Sequence, residues 1–199
     1  MVKRANLSDE NVVVDIITES FRNNPSVISS VKNDAKLDTR IKELARYAFR
    51  TAISRNGVLL SSNNTGVAIC YQFNIKKNSF LDYWNQIRLV CKAIGISKVF
   101  TLLKREKYIN KIRPKEGNYL YFWFFGVKES YRGSEAAKEL KTAIFKASED
   151  NQLPIYLETS VEQNKIVYQR FGFKIYHSWH RKDHTLWFMK RDPNFTNSI

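Results

Sequence analysis

The chain has 199 residues, of which 33 are Lys or Arg and 19 Asp or Glu, for a formal net charge of +14. Hydrophobic residues at 43% and aromatics at 14% supply a real core and exclude a disordered or low-complexity protein. Two cysteines exclude a disulfide framework, and neither sits in a CxxC or Cys/His ligand spacing.

The N-terminus lacks the apolar run of a signal peptide. The longest strongly apolar stretch, Tyr119–Val127, falls short of the roughly 20 residues that span a bilayer. A soluble, cytoplasmic protein of one domain (1–199) is expected, with no membrane association. The cationic excess calls for an anionic partner: nucleic acid, a membrane surface or a phosphate-bearing small molecule.

In chain order, Met1–Asn6 reads as a short edge strand. Ser8 followed by two acids signals a helix start, and Val13, Ile16, Ile17 and Phe21 keep helical spacing up to Asn23-Asn24-Pro25. A second helix is expected over Asp38–Ser54, with Ile41, Leu44, Ala45, Ala48 and Ala52 on one face. Val58–Ser61 and Thr65–Phe73 read as a hairpin. Ser79–Arg113 turns helical again with a break near Gly95. Its second half carries a stripe of Lys104, Lys107, Lys111 and Lys115, which reads first as a solvated face.

The C-terminal half has the stronger pattern. Tyr119–Val127 reads as a strand buried on both faces. The turn Lys128–Gly133 leads into a helix with Ala137, Leu140, Ile144 and Ala147 inward, then a strand at Pro154–Glu158. Strand, helix and strand make a βαβ unit, so the two strands should be parallel with a right-handed crossover. A helix near Gln163–Arg170 is closed by Gly172. Strands Phe173–Trp179 and Thr185–Lys190, joined across His180–Asp183, end the chain.

The βαβ unit delivers a buried strand into a helix N-terminus through a basic, small-residue turn. The first amides of a helix lack intrahelical partners and the macrodipole is positive there, so a phosphate can be held by backbone N–H groups. Gly133, Ser134, Ala136 and Ala137 allow close approach, and Arg132 and Lys138 add charge. A tight helix start favours the same small residues without any ligand. His177, His180 and His184 straddle a hairpin with no supporting carboxylate or Cys pattern, so no metal is expected.

The succession Tyr131-Arg132-Gly133 with Ala136-Ala137, then Pro154 to Glu158, then Asn164, Tyr168 and Gly172-Phe173 resembles the GNAT N-acetyltransferase superfamily. The likeness extends over most of the chain. It implies an α/β fold with a mixed, mostly antiparallel sheet, a parallel splayed strand pair and flanking helices. Residues 76–117 would then be a helical insertion on the acceptor side. It further implies acetyl-CoA as co-substrate and a small-molecule or peptide amine as acceptor, attacked directly in a ternary complex. The family's pyrophosphate loop lands on Arg132, Glu135 and Ala137, so amides from Gly133 to Lys138 would meet the pyrophosphate. Backbone groups of Phe125, Gly126 and Val127 would pair with the pantetheine arm, Asn164 would sit near it, and Tyr168 would protonate the departing thiolate. Glu135 departs from the pattern, standing where the family has glycine.

Two other readings stay open. A basic nucleic-acid-binding module would need aromatics interleaved with the Lys stripe, where only Tyr108 lies; no specific nucleic-acid partner is expected. A catalytically lapsed CoA-binding protein would be consistent with Glu135. Glu158, at the end of its strand, is a candidate general base, and a homodimer is left open.

Overall fold

Each element begins where its caps allow. In the computed structural model, which describes residues 1–75, 80–181 and 184–193, strand β1 (Lys3–Arg4) leads through a 3-10 turn at Leu7–Asp9 into α1 (Glu10–Phe21). The cap is Asn6 rather than Ser8. Asn6 Oδ1 accepts the Ser8 amide and Asp9 Oδ2 accepts the Asn6 amide, each at 2.9 Å. This reciprocal box satisfies two amides at once. Pro25 cannot continue α1 but suits a first turn. Asn24 therefore caps a short helix, α2 (Pro25–Ser30), accepting from the Ser26 and Val27 amides; periodicity does not reveal it.

Helix α3 (Leu37–Ile53) and the hairpin of β2 (Val58–Leu60) and β3 (Gly66–Gln72) follow as expected. The insertion holds α4 (Phe80–Leu89), a π-helical turn at Val90–Ile94, a break at Gly95 (φ 75°) and α5 (Ile96–Ile112). Ser79 and the side chains of Phe80 and Tyr83 lie outside the described residues. Then come β4 (Leu120–Val127), α6 (Glu135–Asn151), β5 (Ile155–Thr159), α7 (Glu162–Arg170), β6 (Lys174–His180) and β7 (Thr185–Arg191). The turn between β6 and β7 is described only at its flanks.

The strands form one sheet in the order β1-β2-β3-β4-β5-β7-β6, antiparallel throughout except for the parallel pair β4–β5. The mixed α/β architecture is the expected one. Helices α1 and α3 cover one face, where Val13, Ile16, Ile17 and Phe49 pack on Val67, Ile69, Tyr121 and Phe124. Helix α6 covers the other, with Leu140 and Ile144 against Ala68, Phe122 and Leu157. Helix α5 lies over the far end of the α1 face, where Ile109 packs on Leu186 and Phe188.

One irregularity organises the centre. Ile69 pairs with Phe124 but Cys70 pairs with Phe122, so Trp123 is an extra residue in β4. A bulge of this kind reverses which face the following residues take and adds twist. Tyr121 and Phe124, three apart, both face α1. Phe122 and Phe125, also three apart, both face α6, with ring centroids 5.5 Å apart.

Candidate functional site

The parallel pairing of β4 with β5 is short. Leu120 pairs with Ile155 and Tyr121 with Tyr156, and the register goes no further although β4 continues to Val127. The strands part at the bulge, leaving the outer half of β4 with a sheet partner on its β3 side only. The Lys128 amide donates to Thr65 on that side at 2.9 Å. Main-chain groups alternate along a strand, so Gly126 also turns toward β3, where it is paired with Val67. Phe125 and Val127 turn theirs into the gap.

Gly126 has a different task. A Cβ there would lie 2.7 Å from Ser20 Oγ and 2.9 Å from Ser20 Cβ. The missing side chain lets α1 approach β4 closely enough for Ser20 Oγ to donate to the Val127 carbonyl at 3.0 Å.

The end of β4 delivers the chain to the α6 N-terminus. Gly133 takes φ 82°, a conformation that L side chains rarely adopt, and faces open space. Ser134 caps the helix, accepting the Ala136 amide at 3.4 Å. Helix geometry leaves the Glu135 and Ala137 amides without intrahelical acceptors. Ala136 is buried beside Gly66 and does not face the opening. Arg132 pairs with Glu129 at 3.5 Å and Glu135 with Lys138 at 3.2 Å, all on exposed side chains. The Glu135 carboxylate, 75% exposed, is therefore turned to water and partly offset by Lys138.

Between α6 and α7, against Phe122 and Phe125 of β4, lies a cavity of about 420 Å³. Its rim is Gly133, Ser134, Glu135, Ala137 and Lys138, and its floor is Ile144, Phe145, Phe171 and Phe173. That volume suits a cofactor-sized ligand. Lys141 stands at its side with Nζ 4.5 Å from the Phe171 ring centroid. Tyr168 lines the cavity, packed edge-on against Phe122 and Phe173. Burial pushes its hydroxyl up to about 12. Asn164, one turn earlier on α7, is exposed and is not part of the cavity wall. Phe122, Lys141, Phe145, Val167 and Phe171 belong to the wall but carry no motif. Their only signal is the matched spacing of Ala137, Lys141, Ile144 and Phe145 on α6 with Val167, Tyr168 and Phe171 on α7, which also fits plain core packing.

On the opposite face, just past the last β4–β5 pair, Glu158 is fully engaged. Arg113 Nε donates to Oε1 at 2.8 Å and Nη2 to Oε2 at 3.0 Å, while the Tyr121 hydroxyl donates to Oε2 at 2.9 Å. Arg113 Nη2 also donates to the Tyr121 oxygen at 2.7 Å. Despite the cost of burial, the facing Tyr121 and Glu158 hold the Arg113 guanidinium above its usual range. Both carboxylate oxygens of Glu158, the candidate general base, are thus taken up by Arg113 and Tyr121.

Among the described residues no three His, Cys, Asp or Glu side chains group to hold a metal ion, and no helix is long and apolar enough to cross a membrane. His177 Nε2 lies 2.8 Å from the Tyr108 hydroxyl and His180 Nδ1 lies 3.1 Å from Thr185 Oγ1. Lys104, Lys107 and Lys111 are exposed along α5 and Lys115 lies beyond its end, whereas Tyr108 turns inward and stacks on Trp179 at 4.1 Å.

No protein-family model matches the chain. It is 22% identical over 184 residues to an uncharacterized N-acetyltransferase of Schizosaccharomyces pombe, covering 86% of this chain and 73% of that protein. Among solved structures, the histone acetyltransferase HPA2 and related acetyltransferase from Corynebacterium glutamicum superposes with a TM-score of 0.71 at 18% identity, covering 99% of this chain and 98% of that one. Arylalkylamine N-acetyltransferase 2 from Aedes aegypti gives 0.64 at 13% identity, covering 98% and 99%. The chain has the GNAT N-acetyltransferase fold.

Proposed function

We propose that this protein is an acetyl-CoA-dependent N-acetyltransferase of the cytoplasm, which moves the acetyl group to a primary amine on a small molecule or peptide by direct attack. One observation carries the reading: β4 parts from β5 beside an apolar cavity that ends at the N-terminus of α6. The residues present suit the co-substrate. The Glu135 and Ala137 amides, with Lys138 and Arg132 nearby, would hold the pyrophosphate. Phe125 would offer main-chain groups to the pantetheine arm as a strand edge does, and the cavity floor would cover its apolar parts. Acetyl-CoA supplies an activated acyl thioester.

The remaining steps fall to the chain. The Val127 carbonyl is occupied by Ser20, which leaves its amide as the donor turned into the gap, where a thioester oxygen gaining charge would be stabilised. Tyr168, protonated at neutral pH, donates to the departing sulfur. The acceptor amine must arrive neutral, and its proton passes to water because Glu158 is tied to Arg113. Native mass spectrometry of the purified protein should show bound CoA, and added amines should release CoA thiol from acetyl-CoA. Absence of both would end the reading. Bound CoA without thiol release across an amine panel would mark a lapsed enzyme.

A further inference from the structure

Building on that reading, we infer that the acceptor carries an oxyanion (a carboxylate or phosphate monoester) beside its amine, and that Arg105 of α5 receives it. The cavity on the α6–α7 face is the co-substrate's, so an amine reaches the thioester carbon from the opposite face, where the strands part at Glu158. Helix α5 covers that side of the sheet.

Among the described residues Arg105 has no ion-pair partner there. Its Nη1 donates to Ser30 Oγ at 2.6 Å and its Nη2 to Ser26 Oγ at 2.7 Å, both neutral hydroxyls of α2. Its Nε is buried and has no acceptor among the described residues. Among the described residues, the charged groups that act on it most are Arg181, Glu106 and Glu158. Glu106 lies 3.8 Å from Arg113 and Glu158 lies 2.8 Å from it, so both carboxylates are already committed to Arg113. Among the described residues three guanidiniums face two carboxylates, which leaves one positive charge in excess. Burial and the like charge of Arg181 both press against the charged form of Arg105, which is the direction an incoming anion reverses.

The shape agrees with the charge. A guanidinium is a planar fork that matches carboxylate and phosphate two bonds at a time. An arriving oxyanion exchanges neutral hydroxyl partners for charge-assisted bonds. Arg181, the second cation, rests 4.9 Å from the Trp179 ring centroid, and Tyr108 stacks on that same ring. Together they give the organic part of an acceptor an aromatic wall. A polyamine would add positive charge to a site already in excess.

The test uses the whole chain and matched acceptors: β-alanine against its amide, O-phosphoethanolamine against ethanolamine, and spermidine. Release of CoA thiol gives kcat/KM. The anionic member of at least one pair should lead by on the order of 10- to 100-fold, the range of one charge-assisted hydrogen bond. The two pairs distinguish carboxylate from phosphate. Arg105→Gln should bring the ratio close to one, and Arg105→Lys should keep part of it. Should Arg105→Gln fail to fold, Ser26→Glu supplies a resident carboxylate and should abolish the preference. Equal rates within both pairs, a preference for spermidine, or a ratio unmoved in the variants would overturn the inference and leave the transferase intact. Calorimetric titration with both anionic acceptors needs no turnover. Binding that Arg105→Gln abolishes, with no thiol release from any amine, would uphold the anion site and reject the transferase.

Discussion

Tyr168→Phe removes one hydroxyl and keeps the ring that packs on Phe122 and Phe173. That hydroxyl has no hydrogen-bond partner among the described residues, so its loss leaves no buried group stranded. Stability should stay within about 0.5 kcal/mol of wild type. The effect on turnover follows from acidity. Burial holds Tyr168 at about 12, whereas a CoA thiol, by analogy with cysteine, titrates near about 8.5. Full proton transfer to the thiolate is therefore uphill, and the hydroxyl would act mainly as a donor to developing negative charge. A hydrogen bond to a charged group contributes about 1.5–3 kcal/mol, or roughly 10- to 150-fold, the lower end of what general acids supply. The bond strengthens only as sulfur gains charge, so it should appear in kcat and leave acetyl-CoA affinity alone. Single-turnover release of CoA thiol, with calorimetry for the co-substrate, reads both. A wild-type rate with chemistry limiting would refute the role. Joint loss of cofactor binding and thermal stability would make Tyr168 a packing residue.

The other expectations concern charge and packing. Glu135→Gln should change CoA affinity by no more than about threefold in a calorimetric titration, because the carboxylate is exposed and shared with Lys138. Gly126→Ala should cost about 1–3 kcal/mol of stability in denaturant unfolding, since its Cβ would lie 2.7 Å from Ser20 Oγ; Ser20→Gly should recover most of it. Glu158→Gln should cost about 3–5 kcal/mol by uncovering Arg113, and the folded fraction should keep its acid pH–rate limb. Burial raises Tyr71, Tyr119, Tyr121, Tyr168 and Tyr176. The unfolded chain therefore loses these protons first, so calorimetric Tm should hold to about pH 9 and fall as pH rises from about 10 toward 12.

The βαβ unit was legible because its signals are local: an apolar run for β4, small residues at a helix start, and spaced aliphatics for α6. The bulge was not. Trp123 sits in a run of aromatics where any register looks equally apolar, and only pairing with β3 shows it to be the extra residue. That one residue sends Phe125 to the cavity side and Phe124 toward α1. It also brings Gly126 against Ser20 of α1. Asn6 displaced Ser8 as the cap because the reciprocal bond from Asp9 is available only to a residue three positions earlier. Asn164 fell outside the cavity wall because it lies a full turn nearer the exposed start of α7.

The acceptor side is written in long-range pairs, which leave no local trace. Arg113 and Glu158 are 45 residues apart, and Arg105 meets Ser26 and Ser30 across 79 and 75. Each pair joins the insertion to a different part of the sheet domain, and the two have opposite consequences. Arg113 meets a carboxylate, so its charge is spent on fixing the end of α5 beside the point where β4 and β5 separate. Among the described residues Arg105 meets only hydroxyls, so on the proposed reading its charge would remain available. A helix anchored by one arginine can hold the next one, two turns back, in a fixed place beside the reacting gap. On the proposed reading Glu158 would shape the reaction without handling a proton: by taking Arg113 it would set where Arg105 stands, and with it which amines fit.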